Sequence, residues 1–520
     1  MFEGKEIKKI LVIRLSSLGD VVLTTPVFRN IKEAWPHVHV SVFVKKEYMD
    51  VFRGNPYIDE VIPFVKDKGI FFYISEIKKK NFDVLIDLHN NIRSNLVGML
   101  SGIKRRVKYN KGVLARRLFV WNRILSPELK LHTVERYLKT LEEIGIKSRF
   151  KQTELFFPRE VTGITPVGLE YNNNITRILI IQTAFLGDVV LTIPLIVSVK
   201  KKFPESFLAV MAIPSTKDVL EAHPAIDELI VFDKKGSEKG LFAFIKLIKK
   251  IKSKDFDIAI LPHRSFKSAL MVWLAQIPRR LGFDRSQGSI FLNELVAYDV
   301  KKHDLERNLD LAKEIDATTS DKEIFINTDK EDWLVVEDIL KAEGISSTDV
   351  VIGISPGSVW PTKRWLAKRF ALLSDRIIKE LGAKVVVFGG PKDVMQVEQV
   401  MTAMKEKALN LSGRLSLKQL AAFIKRCRVF VTNDSGPMHI AVAGKVPVVA
   451  IFGPTTRELG FYPYGDGNTV IEKNLDCRPC GLHGGRKCKK QTFDCMELIT
   501  VSEVFIVVKD KLNKTEGVRT

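Results

Sequence analysis

The chain has 520 residues, 45% of them hydrophobic and 28% charged, a globular balance too long for one ordinary core and indicating two or three domains. No apolar run is long enough to span a bilayer, the charged start Met1–Lys9 does not read as a secretory signal, and five cysteines are too few for a disulfide scaffold; a cytoplasmic protein is expected. The formal charge of +21 favours anionic partners such as nucleotides, phosphorylated glycolipids or an anionic membrane face, while no RNA- or DNA-reading motif accompanies it, so nucleic acid is not an expected partner.

In chain order, the first apolar run, Ile10–Leu15, reads as a buried parallel strand. The turn Ser16-Ser17-Leu18-Gly19-Asp20 follows, then a helical pattern stopped by Pro36, then a strand over His39–Val44. Further on, Lys104–Arg123 carries eight Lys and Arg residues and no acidic one, interleaved with Leu114, Leu118, Phe119 and Trp121. Such a stretch is either a solvated helix face or a surface for an anionic membrane or phosphorylated lipid. Asn172-Asn173-Asn174 marks a linker over 161–174.

The chain then begins again. Residues 9–36 and 177–204 share Leu-Gly-Asp-Val-Val-Leu-Thr-x-Pro, with Asp188 lying 168 positions after Asp20. Phe82–Ile86 matches Phe256–Ile260, His89 matches His263, and His132-Thr-Val-Glu-Arg136 matches His303-Asp-Leu-Glu-Arg307, all in the same order. Ordered matches of this kind indicate a duplicated unit of about 150 residues, the size of one α/β domain. In each copy strands alternate with helices, which implies a doubly wound parallel sheet.

A second linker is expected over roughly 331–348. From Asp349 onward a different α/β unit follows: strands at Val350–Ile354, Lys384–Phe388, Val429–Thr432 and Val446–Phe452, and helices at Trp365–Leu381 and Leu417–Arg426. The expected domains are thus 1–160, 175–330 and 349–515.

Three motifs carry chemistry. The Gly-Asp turn, at Asp20 and again at Asp188, falls at the carboxyl edge of the first strand, where open α/β sheets bind ligands. An Asp there serves as a helix cap as readily as a catalytic base, and the dinucleotide fingerprint G-x-G-x-x-G is absent. Ser355-Pro-Gly-Ser358 followed by Lys363-Arg364-Trp365 places two cations at a helix start, suited to a phosphate or to a solvated turn. Thr432-Asn-Asp434-Ser435-Gly436-Pro-Met438-His439 opens a helix after a strand. Its free backbone N–H groups would face a bound anion, and Asp434 would take a ribose hydroxyl; an ordinary Asp/Ser cap is the plain alternative.

Together with Gly453-Pro454-Thr455, these motifs are similar to those of the ADP-heptose:lipopolysaccharide heptosyltransferases, glycosyltransferase family 9. Residues 175 to about 515 cover that family's length, and residues 1–160 resemble its N-terminal half again. The resemblance implies a GT-B architecture, α/β with two Rossmann-like domains facing across a cleft, plus one extra Rossmann-like copy. It implies an inverting transfer from an ADP-sugar to a lipid A–Kdo type glycolipid of the lipopolysaccharide core, beside the inner membrane; a related enzyme using another nucleotide sugar is the alternative. Carried over by motif, the catalytic Asp is Asp188 or Asp20, with Asp188 expected as the base because its copy is joined to the donor domain by a short linker and should form the cleft. The donor contacts are Ser358, Lys363, Arg364, Asp434, Ser435, Gly436, Met438 and His439, with Asp393 as an acidic nucleoside contact. No cofactor or metal is implied, since the Asp-x-Asp motif of the other major glycosyltransferase fold is not found where it would be needed.

Two points stay open at this level. Cys477-Arg-Pro-Cys480, with Cys488 and Cys495, is either a zinc site of irregular spacing or a structural loop without metal. The first copy, lacking a donor domain, is either a second catalyst or a module for acceptor binding or assembly.

Overall fold

Runs of β-branched and aliphatic residues form the centres of three parallel sheets in the computed structural model, which describes residues 7–110, 133–154, 175–233, 236 and 240–516. The chain divides into two compact units, Met1–Glu170 with Gly240–Phe242, and Tyr171–Lys239 with Ala243–Thr520.

The first unit holds β1 (Lys9–Ile13), β2 (His39–Lys45), β3 (Glu60–Phe64), β4 (Val84–Asp87) and β5 (Arg105–Lys108), in the order β3-β2-β1-β4-β5. The second unit holds two sheets. One comprises β6 (Arg177–Ile181), β7 (Phe207–Ala212), β8 (Glu228–Val231), β9 (Ile258–Leu261), β10 (Arg279–Phe283) and β11 (Glu294–Val296), ordered β8-β7-β6-β9-β10-β11. The other comprises β12 (Val351–Ser355), β13 (Lys384–Val387), β14 (Leu409–Asn410), β15 (Val429–Asn433), β16 (Val448–Phe452) and β17 (Thr469–Glu472), ordered β14-β13-β12-β15-β16-β17. In all three the direction of winding reverses beside the first strand, at the pairs β1–β4, β6–β9 and β12–β15. The carboxyl ends of those pairs are where such sheets open a crevice for ligands. Because all three sheets share this order, strand order alone does not single out two of them as copies.

Central strands are apolar on both faces, as sheets covered by helices require: Ile178–Ile181 and Val448–Ala450 are fully buried. One buried cluster runs from Ile180 and Leu195, through Ile440 and Phe423, to Val448, so the two sheets of the second unit share a core.

Three sequence expectations are revised. Residues 331–348 are not a bare linker. They contain the helix Lys330–Ala342, whose cap Asp329 accepts the Asp332 N–H and pairs with Lys418 at 2.5 Å. Trp365 precedes its helix, Ala367–Leu381, and is fully buried with its indole N–H on the Ile499 carbonyl. The two Thr-x-Pro segments that match in sequence are both helical, but differently. Pro26 opens a new helix, Thr25–Ala34, after the short helix Leu18–Val22, whereas Pro194 lies inside one continuous helix, Leu186–Lys202. The linker 161–174, the basic residues from Lys111 to Arg123, and His132 lie outside the described residues. Among the described residues no helix is long and apolar enough to cross a membrane.

Candidate active site

In the second unit the helix Leu186–Lys202 follows β6 and the helix Gly436–Ala443 follows β15, so each starts at the carboxyl edge of its sheet. The two helix starts meet. A Cβ on Gly187 would lie 2.8 Å from the His439 ring, and one on Gly436 would lie 2.8 Å from Leu186. The approach is possible only because both positions lack a side chain. The glycine of the Gly-Asp turn and that of the Asp-Ser-Gly loop are therefore two halves of one contact.

Asp188 stands in the first turn of its helix, beside this contact. Burial pushes its carboxyl up to about 7. The neighbouring Asp304 adds to the rise, against the pull of nearby backbone N–H groups and of Lys363. A carboxyl poised near neutrality is the condition a general base needs, and such a shift marks functional sites.

Across the contact, Lys363 pairs with Asp434 at 2.6 Å, with both side chains largely buried. Thr455 donates to the same carboxylate at 2.6 Å. Asn433 ties the loops together, accepting the Trp365 N–H at 3.0 Å and donating to the Pro356 carbonyl at 2.8 Å. Ser358 is buried with its hydroxyl directed to the Asp434 carbonyl, and its own carbonyl accepts Arg364 Nε. Asp393 lies against Gly357, where a Cβ would come 2.5 Å from its carboxyl carbon, and it accepts the Gly390 N–H. Ser435 makes no side-chain cap; its hydroxyl turns to Thr432, leaving the helix start open for an anion. Met438 is fully buried. His439 is buried too, and that burial, with His303 and Lys363 nearby, lowers its pKa to about 3, so its ring is neutral.

The sequence segment His303–Arg307 fastens the two sheets of this unit. Arg307, 2% exposed, donates to the Tyr298 hydroxyl and to the carbonyls of Asp299, Val300 and Leu459. His303 meets the Tyr462 carbonyl at 2.8 Å and packs on the rings of Tyr462 and Tyr464, while the Asp304 N–H donates to the Gly460 carbonyl. Asp304 also pairs with Arg307 at 3.3 Å, and burial raises its pKa. The motif was visible in the sequence as part of the repeat. Its role at the sheet junction, and the partners Thr455 and Asp304, were not, because they come from segments far apart in the chain.

In the first unit the corresponding Asp20 is differently placed. Arg14 pairs with it at 2.7 Å, Ser17 donates to the same oxygen at 2.9 Å, and the Tyr137 hydroxyl donates to the other at 3.2 Å. Burial opposes ionisation, but Arg14 and Ser17 outweigh it and hold the carboxyl below its ordinary value. By the repeat alignment Arg14 corresponds to Gln182 and Tyr137 to Asn308. In the second unit these are neutral: Gln182 donates to Thr192 at 2.8 Å and Asn308 to the Leu191 carbonyl at 3.1 Å. An Asp held below its ordinary pKa adds stability above about pH 4, and that stability is lost as pH falls through the folded value. Asp20→Asn is expected to cost the first unit about 1–2 kcal/mol near pH 7, since Arg14 loses its counter-charge. Chemical denaturation at pH 7 and pH 3 checks this: the difference between the two proteins should shrink at the lower pH.

All five thiols are free. Among the described residues no group of three or more His, Cys, Asp or Glu side chains is arranged to hold a metal ion.

Residues 244–490 match the family model "Glycosyltransferase family 9 (heptosyltransferase)". The chain is 30% identical over 313 residues to lipooligosaccharide heptosyltransferase 2 of Haemophilus influenzae, covering 57% of this chain and 88% of that protein. Two solved structures are similar. A glycosyl transferase of family 9 from Veillonella parvula has a TM-score of 0.59 at 28% identity, covering 66% of this chain and 99% of that one. ADP-heptose lps heptosyltransferase II of E. coli has a TM-score of 0.54 at 25% identity, covering 66% of this chain and 100% of that one.

Proposed function

Since this chain belongs to glycosyltransferase family 9, the heptosyltransferases, we propose that its second unit transfers heptose from ADP-heptose to a lipid A–Kdo type acceptor of the lipopolysaccharide inner core, with inversion. The observation that carries this reading is the meeting of a carboxyl poised near pH 7, Asp188, with Lys363 and the uncapped start of the Gly436–Ala443 helix. Asp188 takes the proton from the acceptor hydroxyl, whose oxygen attacks the anomeric carbon. The bond from that carbon to the β-phosphate oxygen breaks, and ADP leaves with the electron pair. Lys363 and the helix N–H groups from Gly436 to His439 stabilise the departing diphosphate.

In this reading the diphosphate replaces Asp434 as partner of Lys363, and Asp434 turns to a ribose hydroxyl. Ser358 and Arg364 line the phosphate side, Ser435 the ribose side, and Asp393 the nucleoside. Met438, being buried, contributes through its backbone. The domains are 175–330 for the acceptor and 349–515 for the donor, and residues 1–160 are a duplicate of the former. The protein acts in the cytoplasm, at the inner face of the membrane that carries its glycolipid acceptor.

The first unit is a non-catalytic module for acceptor binding or assembly. The ion pair of Asp20 with Arg14 supports this, because a carboxylate held below its ordinary pKa is a weak base at pH 7. Asp20→Asn is expected to leave transfer within twofold of the unsubstituted protein.

The test is incubation of the full chain with ADP-heptose and a deacylated inner-core oligosaccharide, followed by mass spectrometry for a gain of one heptose. No gain with ADP-heptose, but a gain with another nucleotide sugar, would reassign the donor. The pH profile is a second check. The ionised form of Asp188 is the active one, so log kcat/KM should rise with unit slope up to about pH 7 and then level. A profile flat from pH 5 to 8 would exclude Asp188 as the base.

A further inference from the structure

The loop after β17 takes no part in the chemistry above, yet it is fixed against the Lys363 turn from both ends. At its base Arg478 donates to the Thr455 carbonyl at 2.6 Å and pairs with Glu472 at 2.7 Å, and the Cys480 N–H reaches the Pro454 carbonyl at 2.8 Å. At its tip Gly485 and Thr362 hold each other. The Gly485 N–H donates to Thr362 Oγ1 at 2.6 Å, and the Gly485 carbonyl accepts from the Thr362 hydroxyl at 3.0 Å and from its N–H at 3.2 Å. Between them, Gly484 lies so close that a Cβ would come 2.7 Å from Trp360 Cβ and 2.9 Å from Lys363 Cγ. Any other residue there would push the loop off the turn.

This anchoring sets the His483 ring in a defined place. It lies parallel to Trp360, at an interplanar angle of 8° and a centroid distance of 6.3 Å, and edge-on to Phe185 at 6.2 Å. Phe185 is the cap residue of the helix that carries Asp188, three positions ahead of it, and is 49% exposed. The three rings thus run from the Asp188 turn to the Lys363 turn. The apolar side chains flanking them, Val359 and Leu482, are 69% and 62% exposed. Exposed aromatic and apolar surface at the mouth of a charged site is the informative exception to ordinary burial.

We propose that Phe185, His483 and Trp360 form a platform for the sugar ring of the acceptor. The inference rests on the reading of Asp188 as the base. An acceptor hydroxyl must come within hydrogen-bond reach of that carboxyl, so the ring bearing it lies over the surface next to Phe185. Aromatic faces take the apolar C–H face of a pyranose while its hydroxyls remain free for polar partners. His483, whose pKa is lowered first by partial loss of water around its ring and then by Lys363, can offer a ring nitrogen to those hydroxyls. In the proposed function the donor lies at Lys363 and the Gly436–Ala443 helix, and His483 stands near both Lys363 and Asp434, so a separate ADP measurement decides which substrate the platform serves.

The experiment measures equilibrium binding of the deacylated inner-core oligosaccharide, and separately of ADP, to full-length Asp188→Asn protein by calorimetry. The same protein carrying His483→Ala or Trp360→Leu is then compared. Each platform substitution is expected to weaken oligosaccharide binding by about five- to tenfold, the scale of one lost stacking contact, while ADP affinity changes less than twofold. His483→Phe, which keeps the ring, should recover part of the loss. His483 is exposed, so the melting temperature of His483→Ala should match its parent and exclude misfolding. Unchanged oligosaccharide affinity in both variants, an equal loss of ADP affinity, or no binding of the oligosaccharide to the parent would overturn the platform. Binding by the parent, with the predicted losses, alongside normal turnover in Asp188→Asn would leave the platform standing and overturn the assignment of Asp188.

Discussion

Asp188→Asn is expected to lower kcat by about 10²- to 10⁴-fold, the range of a lost general base, while the melting temperature stays level or rises. The two effects have one cause. The folded state holds the Asp188 carboxyl near 7, above its ordinary value of 3.8, so folding takes up a proton between those values. Stability contributed at this position is therefore greatest below about pH 4, falls as pH rises towards 7, and is constant above. An amide of the same shape removes the buried charge and with it the loss, so the gain in stability is expected at pH 8 and not at pH 4. Activity and thermal unfolding measured at both values test the pair of statements. A variant that loses activity and also melts lower at pH 8 would show that Asp188 is a structural cap and not a base held under tension by burial.

Lys363→Met is expected to lower kcat by about 10²- to 10³-fold, as for loss of one preorganised charge at a departing oxyanion. Here the stability effect has the opposite sign. Lys363 and Asp434 pair at 2.6 Å with side chains 12% and 9% exposed. Removing the ammonium leaves a largely buried carboxylate with Thr455 as its remaining side-chain donor, a loss of about 2–3 kcal/mol. Lys363→Met/Asp434→Asn should recover that stability without recovering activity. ADP affinity by calorimetry, kcat at saturating donor, and melting temperature separate the roles. If the double variant recovers both stability and rate, the pair is structural and the diphosphate is held elsewhere. Lys363→Arg should recover little, because a planar fork does not occupy the space of a compact ammonium.

Much of this protein is legible in the sequence because the signals are local. The apolar runs at Ile10–Leu15 and Ile178–Ile181 announce buried parallel strands, and the alternation of strands with helices announces doubly wound sheets. The repeated Leu-Gly-Asp-Val-Val-Leu-Thr-x-Pro marks two related segments. The Asn-Asp-Ser-Gly loop announces a helix start suited to an anion, since backbone N–H groups at a helix start need no distant partner to be exposed. Each of these follows from spacing within a few residues.

The sequence favours Asp188 because its copy is joined to the donor half, but it does not show how differently the two carboxyls are held. Asp20 and Asp188 sit in the same Leu-Gly-Asp-Val-Val-Leu-Thr string, each in the first turn of a helix. Their electrostatics differ through one residue six positions upstream, Arg14 against Gln182, and through residues remote in the chain. Arg14 and Tyr137 hold Asp20 as an ion-paired carboxylate, whereas Gln182 and Asn308 turn to neutral partners and leave Asp188 beside Asp304. A pKa depends on burial and on charges a few ångströms away, and while Arg14 and Ser17 are near Asp20 in the chain, Tyr137 and Asp304 reach the two carboxyls from segments more than a hundred residues away. The same holds for Gly187 and Gly436. As letters they permit a turn; only the meeting of two helix starts shows that each is needed to let the other approach.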